Sequence, residues 1–164
     1  MEEKALTEIP ILLRPVANRF DKAVNKYGPT HQSVAWRDKE RQQRRFQIFL
    51  GLLAYDTRRN NVSINDLGCG YGAMFETFKE LIQFADGTYY GYDISESMIR
   101  VAKENIRDPR AIFVKNHIAT EKADYSFASG TYNMRMEANT KDWLDYIEQN
   151  LVNVALIKAD LKNP

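Results

Sequence analysis

The chain has 164 residues, 44% hydrophobic and 27% charged, with a formal net charge of +1, which suits one globular domain. A charge so near neutral argues against a nucleic-acid binder and a membrane-surface protein, and no apolar run is long enough to span a bilayer. The single cysteine, Cys69, excludes an intrachain disulfide and a thiolate-rich metal site. Met1-Glu2-Glu3-Lys4 leads into no apolar leader segment, so the expected compartment is the cytoplasm.

Residues 1–60 are polar and helix-leaning, and are expected to form an N-terminal helical extension or lid. Gly28-Pro29-Thr30 is a turn. A helix begins near Arg37, with Phe46, Phe49, Leu50 and Leu53 along one face. Its first half, Arg37 to Arg45, mixes both signs of charge, which fits a solvated face better than a nucleic-acid patch.

Residues 61–164 read as an α/β domain. Val62–Leu67 is apolar at alternate positions and predicts a strand ending at Gly68. Met74, Phe75, Phe78, Leu81, Ile82 and Ala85 predict one helix that stops at Asp86-Gly87. Thr88–Tyr92 is the second strand, and Ile94, Met98, Val101, Ala102 and Ile106 mark a helix ending before Pro109. Ala111–Val114 and Asp124–Ser129 are the third and fourth strands. Trp143, Leu144, Ile147 and Leu151 share a helix face, with Thr140 as its expected N-cap, and Val152–Ile157 is a candidate fifth strand. Alternating strands and helices predict a mostly parallel, doubly wound sheet with helices on both faces.

The chemistry is concentrated in Asp66-Leu67-Gly68-Cys69-Gly70-Tyr71-Gly72, between the first strand and its helix. Glycine lets the chain turn through conformations that a β-carbon disfavours and lets a ligand approach bare backbone. Gly68, Gly70 and Ala73 satisfy the dinucleotide fingerprint, with Asp93 near the place of its ribose-binding acid. On glycines alone a nicotinamide enzyme stays open. Asp66, two residues ahead of the first glycine, suits a cationic amino group and would repel a pyrophosphate.

The pair Asp66-Leu-Gly-Cys-Gly-Tyr-Gly72 and Gly91-Tyr-Asp-Ile-Ser-x-x-Met98-Ile-x-x-Ala102 resembles the first two cofactor motifs of class I S-adenosyl-L-methionine-dependent methyltransferases. The resemblance is specific over Val62 to Ile106 and looser through Asn150. It implies a Rossmann-like fold in which Asp66, Gly68 and Gly70 contact the methionine portion of the cofactor. Asp93 would accept hydrogen bonds from both ribose hydroxyls, and Ile94 and Met98 would pack near the adenine. Gly72 completes the turn, and Cys69 is a small filler beside the cofactor rather than a nucleophile. The family commonly has an acid after the third strand; here Asn116 or His117 stands in its place. As a metal ligand His117 has only His31 for company, so no metal is expected.

By the same resemblance the end of the fourth strand faces the transferred methyl group. Ser129 is there a candidate for the cofactor side, and Tyr132 and Asn133 for the acceptor side. His31 and Trp36 of the N-terminal extension are further acceptor-side candidates, and the acceptor is expected to be a small molecule. The sheet lacks room for the last strands of the family's seven, which reads as a C-terminally truncated member. The edge so exposed predicts a homo-oligomer. Two competing readings follow: a cofactor-binding remnant or regulatory subunit without catalysis, and an NAD(P)-dependent oxidoreductase.

Overall fold

The computed structural model describes residues 8–55 and 60–159, with the backbone alone for 155–159. Met1–Lys4, where a leader was sought, and the tail from 160 of the expected α/β domain lie outside the described residues. A 3-10 turn at Ile11–Leu13 opens into α1 (Arg14–Tyr27), and Pro15 suits its first turn because that N–H has no helical partner. Gly28, in the left-handed region at φ 66°, ends the helix by donating its N–H to Val24 O. The following helix, α2 (Lys39–Ala54), is capped by Asp38, whose carboxylate accepts from Arg41 N at 2.7 Å. Gln42, Phe46 and Leu53 are its buried stripe. Arg37, Lys39, Arg41, Arg44 and Arg45 are exposed, which is the solvated face expected of mixed charge.

Strands and helices then alternate: β1 (Ser63–Leu67), α3 (Ala73–Phe78), β2 (Thr88–Asp93), α4 (Glu96–Asn105), β3 (Ala111–Lys115), β4 (Tyr125–Ala128) and α5 (Thr140–Ala159). The four strands form one parallel sheet in the order β3-β2-β1-β4. The order reverses beside β1, so the loops after β1 and β4 diverge and leave a crevice at the carboxyl ends of the strands.

Register puts Ile64 and Asp66 of β1 on one face with Tyr89 of β2, Phe113 of β3 and Tyr125 and Phe127 of β4. That face carries the main core, covered by Phe46 and Leu53 of α2, Phe75 and Phe78 of α3, and Ile99 and Ala102 of α4. The opposite face, Leu67 and Tyr92 with Val114, packs against Ala119 and Val154 of α5. Helices on both faces confirm the Rossmann-like expectation.

Three sequence expectations are corrected. The single helix over Met74–Ala85 is instead α3 followed by a separate 3-10 turn at Ile82–Phe84. The break lets Phe84 turn back onto Phe75 at 6.1 Å between ring centroids, while Ile82 is left exposed. Val152–Ile157 is not a fifth strand but the continuation of α5. No Gly or Pro interrupts the chain from Thr140 to Ala159, so the helix propagates, and Val154 meets the core one turn beyond Asn150. The cap of α5 is Asn139, whose Oδ1 accepts from Asp142 N at 2.9 Å, rather than Thr140, already in the first turn.

Candidate functional site

The crevice holds a cavity of about 270 Å³. Its floor is made at the carboxyl ends of the strands: Asp66 to Tyr71 after β1, Tyr92 to Ile94 at the end of β2, Asn116 and His117 after β3, and Ser129 to Thr131 after β4. Its roof comes from the N-terminal segment, with Leu13 from the 3-10 turn, Val16 and Phe20 from α1, Val34 to Trp36 from the turn between the helices, and Gln42 and Phe46 from α2. Met134, Trp143 and Tyr146 close one side.

The glycine turn is bound to the neighbouring strand. Gly68 N and Cys69 N both donate to Tyr92 O, at 2.8 and 3.0 Å. Gly68 has φ 76°, and a β-carbon there would lie 2.5 Å from Thr131 Oγ1. Gly70 has φ 55°, and its β-carbon would lie 2.7 Å from Val34 Cγ1. Both positions therefore demand glycine for conformation and for space.

Asp93 joins three elements. Its Oδ2 accepts from Gly70 N at 2.9 Å and its Oδ1 from Ser95 N at 2.8 Å. Ser95 caps α4 by accepting from Met98 N, and its hydroxyl donates to Asp21 Oδ1 of α1 at 2.6 Å. Burial pushes the Asp93 carboxyl up to about 6, against the backbone donors that lower it. A carboxylate offers about four acceptor sites, so two backbone bonds leave lone pairs for a ligand.

Asp66 is 2% exposed and accepts a hydrogen bond from the Tyr89 hydroxyl. Burial pushes it up to about 7; the Tyr89 bond lowers it and the nearby Asp93 charge raises it further. Burial and the same two carboxylates raise the Cys69 thiol well above its ordinary value, so it is no nucleophile at neutral pH. His117 is lowered by burial and thus neutral. Its Nδ1 and the Ser129 Oγ are buried without a hydrogen-bond partner among the described residues, and both residues line the cavity. Tyr146 of α5 holds the same loop by donating to His117 O at 3.2 Å.

The geometry suits a ligand with a cationic end at Asp66, hydroxyls at Asp93 and polar groups at His117 and Ser129. An ionised Asp66 beside the glycine turn would repel a pyrophosphate there. Comparison with known proteins agrees. A family model described as a methyltransferase domain matches residues 64–153, more than half of the chain.

The chain belongs to the class I S-adenosylmethionine-dependent methyltransferases.

A curated relative of this chain, the methyltransferase-named protein Rv1506c of Mycobacterium tuberculosis, is 38% identical over 90 residues, covering 54% of this chain and 53% of the relative. The chain thus matches about half the length of that relative. Among solved structures, magnesium protoporphyrin IX methyltransferase from Synechocystis PCC 6803 with bound S-adenosylmethionine superposes with a TM-score of 0.65. The identity is 15%, over 91% of this chain and 74% of that one. The plantazolicin methyltransferase BpumL in complex with S-adenosylhomocysteine gives 0.51 at 18% identity, over 86% and 56% of the two chains. At these identities the structures speak for the fold alone.

Of the residues singled out from the sequence, Asp66, Gly68, Cys69, Gly70, Asp93, Ile94, Met98, Asn116, His117, Ser129, Trp36 and Asn133 all line the cavity. Gly72, His31 and Tyr132 do not. Gly72 starts α3 with φ 86° against Ile106 and Phe113. His31 belongs to the turn before α2, its carbonyl accepting from Trp36 N. Tyr132 packs beside Trp143 and Tyr146. Sequence reasoning missed Leu13, Val16 and Phe20. Their helical spacing around Pro15 was the available signal, without which nothing local to them indicates a ligand.

Proposed function

We propose that this chain binds S-adenosylmethionine in the cavity and transfers its methyl group to a small-molecule acceptor. The observation that carries the reading is the pair of buried carboxylates, Asp66 and Asp93, presented at adjacent strand ends behind a glycine turn. Asp66 faces the methionine ammonium, with Gly68, Cys69 and Gly70 admitting the chain of the ligand and Gly72 shaping the turn. Asp93 accepts the ribose hydroxyls. Ile94 and Met98 pack on the adenine, whose polar edge meets His117 Nδ1 beside Asn116, and Ser129 stands toward the methyl group. Trp36 and Asn133 serve the acceptor, with His31 and Tyr132 as their supports.

The cofactor supplies an activated methyl on a sulfonium that leaves as a neutral thioether. The protein therefore has to position the acceptor in line and exclude water, which is where most of its rate advantage arises. Residues 1–60 act as the lid over the α/β unit of 61–164. Support comes from Leu13, Val16, Phe20 and Trp36, which roof the cavity.

Calorimetric titration with S-adenosylhomocysteine and with NAD tests the binding site. We expect the former to bind and NAD not to bind; NAD binding alone would overturn the reading. Asp93→Ala removes two charge-assisted acceptor bonds to the ligand, so its affinity should fall about 100-fold or more. Turnover of labelled S-adenosylmethionine on pooled small-molecule acceptors tests catalysis, and binding without any turnover would favour a regulatory subunit.

A further inference from the structure

On the reading that this cavity holds S-adenosylmethionine, we infer that Tyr89 is a positioning residue of the site, acting through Asp66. Tyr89 is fully buried and does not line the cavity. It sits on β2 opposite Ile64, one pleat below Gly91, which pairs with Asp66. Gly91 leaves room there: a β-carbon would lie 2.7 Å from Phe113 Cδ1 and 3.0 Å from Cys69 Sγ. The Tyr89 ring packs edge-on against Phe75 and Phe113, contacts a phenylalanine would make equally well. What distinguishes tyrosine is the hydroxyl, and it donates to Asp66 Oδ2.

The need for that bond follows from the surroundings of Asp66. The titratable groups facing it are Tyr89 and Asp93 from β2 and Cys69 from the glycine turn. Opposite it on β4 stands Phe127, and Phe113 of β3 with Met74 and Phe75 of α3 complete an apolar setting. None of these is a cation. A buried carboxylate without a counter-charge takes up a proton. A protonated Asp66 cannot attract the ammonium of the ligand. The Tyr89 bond favours the ionised form and holds Oδ2 of a residue that also lines the cavity. Ligand binding below neutrality must then displace a proton from Asp66.

The test is the affinity for S-adenosylhomocysteine from pH 5.5 to 9, measured by calorimetry on wild type, Tyr89→Phe and Asp66→Asn. In wild type the dissociation constant should be level from about pH 7.5 until the ligand's own ammonium deprotonates, and weaken toward tenfold per unit below the Asp66 transition. In Tyr89→Phe the break should move up by about one unit, giving roughly fivefold weaker binding at pH 7, approaching tenfold at lower pH, that recovers above the shifted break. Asp66→Asn should bind weakly without this break, and any lower break from Asp93 should persist in all three proteins. A Tyr89→Phe profile that coincides with wild type, or weakens by the same factor at every pH, overturns the inference while the cofactor reading stands. Failure of wild type to bind overturns both. Thermal melts verify that each variant is folded; should Tyr89→Phe not fold, proton release on binding to wild type and to Asp66→Asn, measured in buffers of different ionisation enthalpy, decides. Equal release by both proteins overturns the inference.

Discussion

Asp93 has both carboxylate oxygens engaged by backbone N–H groups of Gly70 and Ser95, so the fold's own hydrogen bonds set the glycine turn and the start of α4. Preorganisation of this kind lowers the entropy lost on binding. It also leaves two acids, Asp66 and Asp93, in surroundings that favour their neutral forms. A carboxyl whose folded-state value is raised keeps its proton in the folded chain when the unfolded chain has released it. Stability therefore falls as pH rises between the ordinary carboxylate range and about 7. Ligand-free protein should lose about 3–4 kcal/mol between pH 5 and pH 8 in chemical denaturation, and Asp66→Asn should flatten the slope. Saturating S-adenosylhomocysteine should offset the loss. A ligand-free stability that rises across that window would show that these two acids do not govern it.

The element on which the roof depends is α1. Its Val24 packs with Met98 and Val101 of α4, and Asp21 accepts from both Ser95 Oγ and Ser97 N, at 2.6 and 3.0 Å. Asp21 thus caps a helix to which it does not belong, and connects the N-terminal helix to the residue that steadies Asp93. Asp21→Ala should cost about 1–2 kcal/mol of stability, as lost helix caps do, measurable by denaturant midpoint. If α1 is the lid, the same variant should speed dissociation of S-adenosylhomocysteine in stopped flow, whereas an unchanged dissociation rate would reduce α1 to a fixed wall. The glycine turn makes a sharper demand. Gly70→Ala places a methyl group 2.7 Å from Val34 Cγ1 at φ 55°, so binding should weaken by tenfold or more even where the fold survives.

At the scale of the whole molecule, β4 pairs with β1 alone among the described residues, and Leu144 and Leu151 of α5 are each 58% exposed. Pairing of this edge between two copies, the oligomer expected from the sequence, predicts a dimer in sedimentation and slow amide exchange along β4. A monomer whose β4 amides are well protected would count against it. No helix among the described residues is long and apolar enough to cross a membrane.

Much of this was legible residue by residue. The order of strands and helices, the glycine turn and the acid at the end of β2 are local patterns: a two-residue alternation, a helical spacing, and glycines where a β-carbon cannot fit. Local rules misjudged Val152–Ile157, because an apolar run suits a buried strand as well as a helix until the absence of a breaker behind Asn150 is weighed. They also placed one long helix over Met74–Ala85, where burial of Phe84 bends the chain instead. The sequence by itself determined the fold and the places of Asp66 and Asp93 at the ends of β1 and β2. Only the tertiary structure decided that α1 roofs the site through Asp21, and that Tyr89 stands beneath Asp66. Those contacts join residues more than twenty positions apart, and hydrogen bonds between distant side chains leave no periodicity for a sequence to display.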